Sequence, residues 1–145
     1  MLGLIQLVSH ANVKIDQIIV GEIVRGIMAL IGIEKTDTED NAIKLFDKII
    51  NYRIFPDDNG KTNLSLKDIN GGLLLVPQFT LVAETQKGLR PGFSRGMPPA
   101  EGNVLFEFLV NYAKQNYHTV ASGQFGAYMQ VSLCNDGPVT FLLQM

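Results

Sequence analysis

Only two stretches of this chain carry apolar residues at helical spacing, and nearly all other apolar residues fall in short runs divided by turn residues. The first helical stretch follows Thr36-x-x-Glu39, which reads as a capping box, and sets Ala42, Leu45, Phe46, Ile49 and Ile50 on one face. The second sets Val104, Leu105, Phe108, Leu109 and Tyr112 on a face, with Pro98 or Pro99 where a first-turn proline is tolerated. Both faces read as ordinary core packing. In the first third, Leu4 to Val8, Val13 to Ile15, Ile18 to Val24 and Ile27 to Ile33 alternate with Asn12, Asp16-Gln17 and Gly26, as short antiparallel strands do. Asp57-Asp58-Asn59-Gly60 is a turn by composition, and Gly71-Gly72 leads into a buried-looking strand, Leu73 to Val76, that Pro77 ends. Near the C-terminus, Tyr128 to Cys134 and Val139 to Leu143 read as two strands joined through Asn135-Asp136-Gly137-Pro138 as a hairpin. About eight strands to two helices predict a mixed α/β fold in a single domain, a curved, mainly antiparallel double β layer, barrel-like, covered by two helices.

The 145 residues suffice for one domain spanning 1–145, with no repeat, linker or low-complexity tract inside it. Cys134 is the only cysteine, so no internal disulfide is available, and the N-terminal M-L-G-L-I-Q lacks the pattern of a signal peptide. These features predict a cytoplasmic protein in a reducing compartment. Apolar runs interrupted by Gly26, Gly32 or Pro77 fall short of the roughly 20 residues a bilayer requires, so no membrane partner is expected. A net charge of -2 argues against a protein that coats nucleic acid, because that work needs many clustered cations. A local RNA contact remains open at Lys87, Arg90 and Arg95 in K-G-L-R-P-G-F-S-R; taken alone, the stretch reads more simply as a solvated loop.

Several chemistries are excluded by what is missing. His10 and His118 have no partner at metal-ligand spacing, so no metal is expected. There is no G-x-S-x-G elbow, no phosphate-binding loop and no G-x-G-x-x-G after a strand, so no cofactor is expected either. Cys134, inside an apolar strand, reads as core. Two polar segments at strand ends remain, Pro77 to Leu81 (P-Q-F-T-L) and Asn135 to Thr140 (N-D-G-P-V-T). On the residues alone, the first reads more simply as a strand leaving the core, and the plain reading of the second is a turn with a trans peptide.

Together, in this order, the two segments resemble the signature pair of the D-aminoacyl-tRNA deacylase family, S-Q-F-T-L and N-x-G-P-V-T. The resemblance spans the chain and includes Gln6 and Val8, G-I-E-K at Gly32 to Lys35, Y-R-I-F at Tyr52 to Phe55, Arg90-Pro91 with Phe93-Ser94, and M-Q-V-S-L at Met129 to Leu133. It implies a hydrolase that cleaves the ester between a D-amino acid, or glycine, and the 3' adenosine of tRNA. It further implies a homodimer with active sites at the interface. Gly137 and Pro138, cis in the family, would reach into the partner's pocket as a filter of handedness, aiming carbonyl oxygens at the substrate's α-carbon. A rigid pair of carbonyls selects by refusing a side chain of the wrong hand, and such a filter admits glycine.

By the same resemblance, the 2'-hydroxyl of the terminal ribose helps to activate the attacking water. The N-H groups of Phe79 and Thr80 would supply an oxyanion hole. Gln78 would hydrogen-bond the ribose or the amino group, and Phe79 would offer adenine a stacking surface. Pro77 and Met129 would line the substrate site, and Lys87, Arg90 and Arg95 would touch RNA. Direct attack by the Thr80 hydroxyl is the other mechanism, but it lacks a visible base. Two positions depart from the family pattern. Pro77 replaces the usual Ser, removing a hydroxyl and an N-H, and Leu7 stands where many relatives carry an arginine. The rival readings are a non-catalytic RNA-binding homodimer and a small-molecule-binding or structural dimer in which both motifs are only turns.

Overall fold

The computed structural model describes residues 1–145. Its organising element is a long strand, β1 (Leu2–Ile15). On one side, the first half of β1 pairs antiparallel with β3 (Gly26–Gly32) and the second half with β2 (Ile18–Ile23). On the other side β1 pairs with β8 (Gln130–Gln144) over most of its length. Beyond β3 the sheet continues through two parallel neighbours, β6 (Gly72–Pro77) and β7 (Val120–Ser122), and β7 packs back against β2. The six-stranded sheet is therefore a nearly closed barrel, antiparallel around β1 and parallel across β3, β6 and β7. A separate ribbon pairs β4 (Phe55–Pro56) with β5 (Thr62–Leu64). Two helices, α1 (Glu39–Asn51) and α2 (Pro99–Asn116), cover one face, meeting where Phe46 sets its ring edge-on to Tyr112 with centroids 5.5 Å apart. The predicted mixed α/β, barrel-like fold under two helices is thus the observed one.

The middle of the sheet is buried on both faces, which explains its nearly unbroken apolar runs. Ile27, Ala29 and Ile31 of β3, with Leu73 and Leu75 of β6, join the core beneath the helices, together with Leu45, Phe46, Ile49, Phe106 and Leu109. The alternate residues Met28, Leu74 and Val76 join a second cluster inside the barrel with Val8, Ala11, Val13 and Ile23. β1 serves both cores. Ile5 and Leu7 face the helices, Val8 and Ala11 face the barrel interior, and the change of face coincides with an irregular register at Leu7. Tyr117, just after α2, reaches the loop before β6, its hydroxyl donating to Gly71 O (2.7 Å) and Leu66 O (3.1 Å). Burial pushes its phenol above the usual value, so it stays a neutral donor.

Five local expectations are corrected. Cys134 is not core, because it lies exposed on β8. Asn12 does not divide two strands, because it lies inside β1, paired across to Glu22 and Ser132. The helix cap is Thr38 with Asn41, not Thr36 with Glu39: Thr38 N-H donates to Asn41 Oδ1 at 2.9 Å. Asp37 accepts from Glu34 N-H (2.6 Å) and from the buried Met1 ammonium, closing residues 34–37 into a turn that delays the helix. On α2 the buried stripe is Gly102, Leu105, Phe106, Leu109, Val110 and Ala113, while Val104 is 69% exposed. Lastly, Asn135 to Pro138 is not a hairpin. The runs before and after it both lie antiparallel to β1, Asn135 opposite Val8 and Thr140 opposite Gln6, so the chain does not reverse. Residues 136–139 instead form a wide bulge in one strand, facing Leu7.

Candidate active site

A cavity of about 830 Å³ opens at the C-terminal end of β6, where the inner barrel cluster reaches the surface. Four separate stretches of chain wall it: Lys35; Val76 to Phe79; Phe93 with Gly96 to Pro99; and Phe125 to Met129 with Val131. Pro77 ends β6 because it has no N-H to continue the ladder. The chain then turns into a short 3-10 helix, Phe79–Val82. Gln78 N-H is held by Ile31 O at 2.7 Å, which fixes where this turn begins. The N-H groups of Phe79 and Thr80 open the helix, where no preceding helical carbonyl exists to receive them. Gln78 Nε2 donates to Thr80 Oγ1, tying the two polar side chains together.

The rest of the wall is mostly apolar. Phe79 and Phe93 form a tilted aromatic pair at the mouth, centroids 5.1 Å apart, exposed by 59% and 46%. Met129 is held across from them, its thioether accepting from Gln124 N-H at 3.4 Å. No histidine, cysteine or carboxylate lines the cavity, and no group of three such side chains anywhere is placed to hold a metal ion. The cavity therefore offers backbone donors, one amide (Gln78), one ammonium (Lys35), one phenol (Tyr128) and apolar surface, but no histidine or carboxylate to act as a base. That inventory suits a reaction in which the substrate brings its own proton-handling group and the protein supplies position and charge stabilisation.

The structure gathers only some of the expected site residues. Pro77, Gln78, Phe79 and Met129 share the cavity, and Thr80 adjoins it through Gln78. Gly137 and Pro138 do not line it; they stand exposed on the β8 bulge, joined by a cis peptide bond. Gly137 has φ near 140°, and a Cβ there would sit 2.7 Å from Val139 Cγ2, so the position requires glycine. Lys87 and Arg90 are exposed on a loop closed by paired hydrogen bonds between Glu84 and Gly92. Arg95 lies apart from them, its Nη2 2.7 Å from Glu34 Oε1. Leu7, at the arginine position of the family pattern, is 2% exposed within the helix-side core, against which Val139 of the bulge also packs.

Sequence reasoning missed the cavity's other contributors. Phe93 and Lys35 both lie in stretches that carry the family resemblance, but neither has an assigned role there. Met97, Phe125 and Tyr128 lie outside both motifs. Only the fold brings them together.

The chain has known relatives over its full length. Residues 4–144 match the family model described as D-Tyr-tRNA(Tyr) deacylase. The chain is 60% identical over 143 residues to the D-aminoacyl-tRNA deacylase of Pseudoalteromonas translucida, covering 99% of each chain. It is 57% identical over 144 residues to that of Legionella pneumophila strain Lens, again covering 99% of each. A solved structure of the c-Myc DNA Unwinding Element Binding Protein superposes with a TM-score of 0.94 at 34% identity, over 100% of this chain and 99% of that one. A probable eukaryotic D-amino acid tRNA deacylase shares the fold at a TM-score of 0.85 and 16% identity, over 98% and 97% of the two chains. With its paired motifs, its cavity and its full-length relatives in agreement, the chain belongs to the D-Tyr-tRNA(Tyr) deacylase family.

Proposed function

We propose that the chain is a cytoplasmic deacylase, one domain over residues 1–145, that hydrolyses the ester between a D-amino acid or glycine and the 3' adenosine of tRNA, without metal or cofactor. The observation that carries this reading is the cavity at Pro77 to Phe79, which has donors for an oxyanion but no histidine, cysteine, serine or carboxylate lining it. In the proposed reaction, water adds to the ester carbonyl. The N-H groups of Phe79 and Thr80 hold the negative charge on its oxygen, the bond to the ribose oxygen breaks, and a proton passes to that leaving hydroxyl. The 2'-hydroxyl of the same ribose positions the water, Gln78 holds the ribose or amino group, and Phe79 stacks on adenine. Lys87, Arg90 and Arg95 are assigned to tRNA phosphates, Arg95 while also paired to Glu34.

The filter of handedness is assigned to Gly137 and Pro138, with Pro77 and Met129 lining the site they enter. Because the bulge that carries the pair lies outside its own chain's cavity, the reading needs a homodimer in which each bulge enters the other's pocket. The exposed apolar residues Phe141 and Leu142 beyond the bulge, and Ile18, Ile19 and Val20 on β2, offer surface for such an interface. Nucleic-acid binding without chemistry, the reading that the name of the DNA Unwinding Element Binding Protein would favour, meets a net charge of -2.

Mechanism is tested on Thr80. Thr80→Ala is expected to keep activity within about tenfold of the parent, whereas D-tyrosyl-tRNA ending in 2'-deoxyadenosine is expected to be cleaved about a hundredfold more slowly, losing a general-base-like contribution. A folded but inactive Thr80→Ala protein would instead make the hydroxyl the nucleophile.

A further inference from the structure

Lys35 is the one charged side chain lining the cavity. It takes part in none of the chain's ion pairs. Its neighbour Glu34 does not neutralise it, because that carboxylate is engaged by Arg95 at 2.7 Å and by the Met1 ammonium at 3.7 Å. Its backbone is fixed as well: Lys35 N-H donates to Arg95 O at 3.1 Å, beside the bridge between Glu34 and Gly96. An unpaired, solvent-exposed cation thus stands on the wall of a largely apolar pocket, on a backbone position that is fixed, and is free to meet an anion that enters there.

The chemistry of the anion follows from the proposed function, on which this inference rests. An amino acid esterified to ribose has no free α-carboxylate, so for any amino acid with a non-acidic side chain the negative charge nearest the reacting ester is a phosphodiester of the terminal nucleotides. The exposed pair of Phe79 and Phe93 supplies a stacking surface for a base on the same cavity wall. We infer that Lys35 binds the phosphodiester adjoining the terminal adenosine and so sets the affinity for the tRNA end, while taking no part in bond cleavage.

The experiment compares the parent protein, Lys35→Ala and Lys35→Arg on two esters, D-tyrosyl-tRNA and 3'-O-D-tyrosyl-adenosine, which has no phosphate. With tRNA, Lys35→Ala is expected to raise KM about tenfold, as loss of a charge-assisted contact does, with kcat within about twofold. The slope of log(kcat/KM) against log[salt] should shallow by roughly 0.7 to 0.9, the value of one phosphate contact. Lys35→Arg should restore most of the affinity, and the phosphate-free ester should be cleaved equally by all three. Equal losses on both esters, or an unchanged KM and salt slope with tRNA, would overturn the assignment. So would weaker inhibition of Lys35→Ala by free D-tyrosine with its tRNA kinetics unaltered, because Lys35 would then hold the product carboxylate. If the parent cleaves neither ester, the deacylase reading fails and this inference falls with it, a result distinct from a parent that is active but indifferent to Lys35.

Discussion

Gly26→Ala is expected to lower the melting temperature by roughly 10 °C, or to prevent folding altogether. β3 and β6 begin their parallel pairing at Gly26 opposite Gly72, and the two backbones approach so closely there that a Cβ on Gly26 would lie 1.9 Å from Gly72 O and 2.7 Å from Gly72 N. No rotamer relieves that contact, because the obstructing atoms are backbone. Relief requires the strands to part, in a region where Ile27, Leu73 and Leu74 are all fully buried. Overpacking a core costs typically 1–3 kcal/mol, and with backbone as the obstacle the upper end or more is expected, at about 2–4 °C per kcal/mol for a chain of this size. Thermal unfolding followed by circular dichroism checks it. Gly92→Ala is the control, since its Cβ would meet Glu84 Cβ at an ordinary 3.6 Å and should leave the melt unchanged. A Gly26→Ala protein melting with the parent would mean that the strands are not packed as described.

Gly32→Ala is expected to cost activity rather than the fold. A Cβ on Gly32 would stand 2.9 Å from Val82 Cγ1, 3.1 Å from Leu81 Cβ and 3.5 Å from Gln78 O, all on the turn that carries Gln78, Phe79 and Thr80. These contacts can be relieved by moving the turn outward by a fraction of an ångström to about 1 Å. Misplacement on that scale can cost about a hundredfold in rate when catalysis depends on fixed donors. We therefore expect kcat/KM on D-tyrosyl-tRNA to fall about a hundredfold in a protein still folded at the assay temperature. Parental activity in Gly32→Ala would separate the turn from the chemistry.

What the sequence disclosed, and what it withheld, follows the distance over which each feature is decided. α1 was legible because its apolar face is narrow and its other face charged, so Ala42, Leu45, Phe46, Ile49 and Ile50 had one possible orientation. α2 is apolar around much of its circumference. The spacing puts Val104 on the core face, and only the sheet beneath selects Phe106 in its place. Asn12 and Asp136 to Pro138 look like turn residues, yet whether such residues turn the chain or bulge within a ladder depends on the partner strand, here β1. Of the site, the Gln78 to Thr80 segment and Met129 were named from motifs, and the structure does bring Gln78, Phe79 and Met129 to one cavity. Lys35 and Phe93 could not be placed there in advance, because more than fifty residues of chain separate them.

The central claim is that this chain cleaves aminoacyl-tRNA with a preference of hand, and matched D-tyrosyl-tRNA, L-tyrosyl-tRNA and glycyl-tRNA test it most directly. Ester loss is followed with each at equal concentration. The account predicts rapid cleavage of the D-ester, measurable cleavage of the glycyl ester, which has no side chain to refuse, and an L-ester that decays no faster than in buffer. Equal rates on the two enantiomers would contradict it.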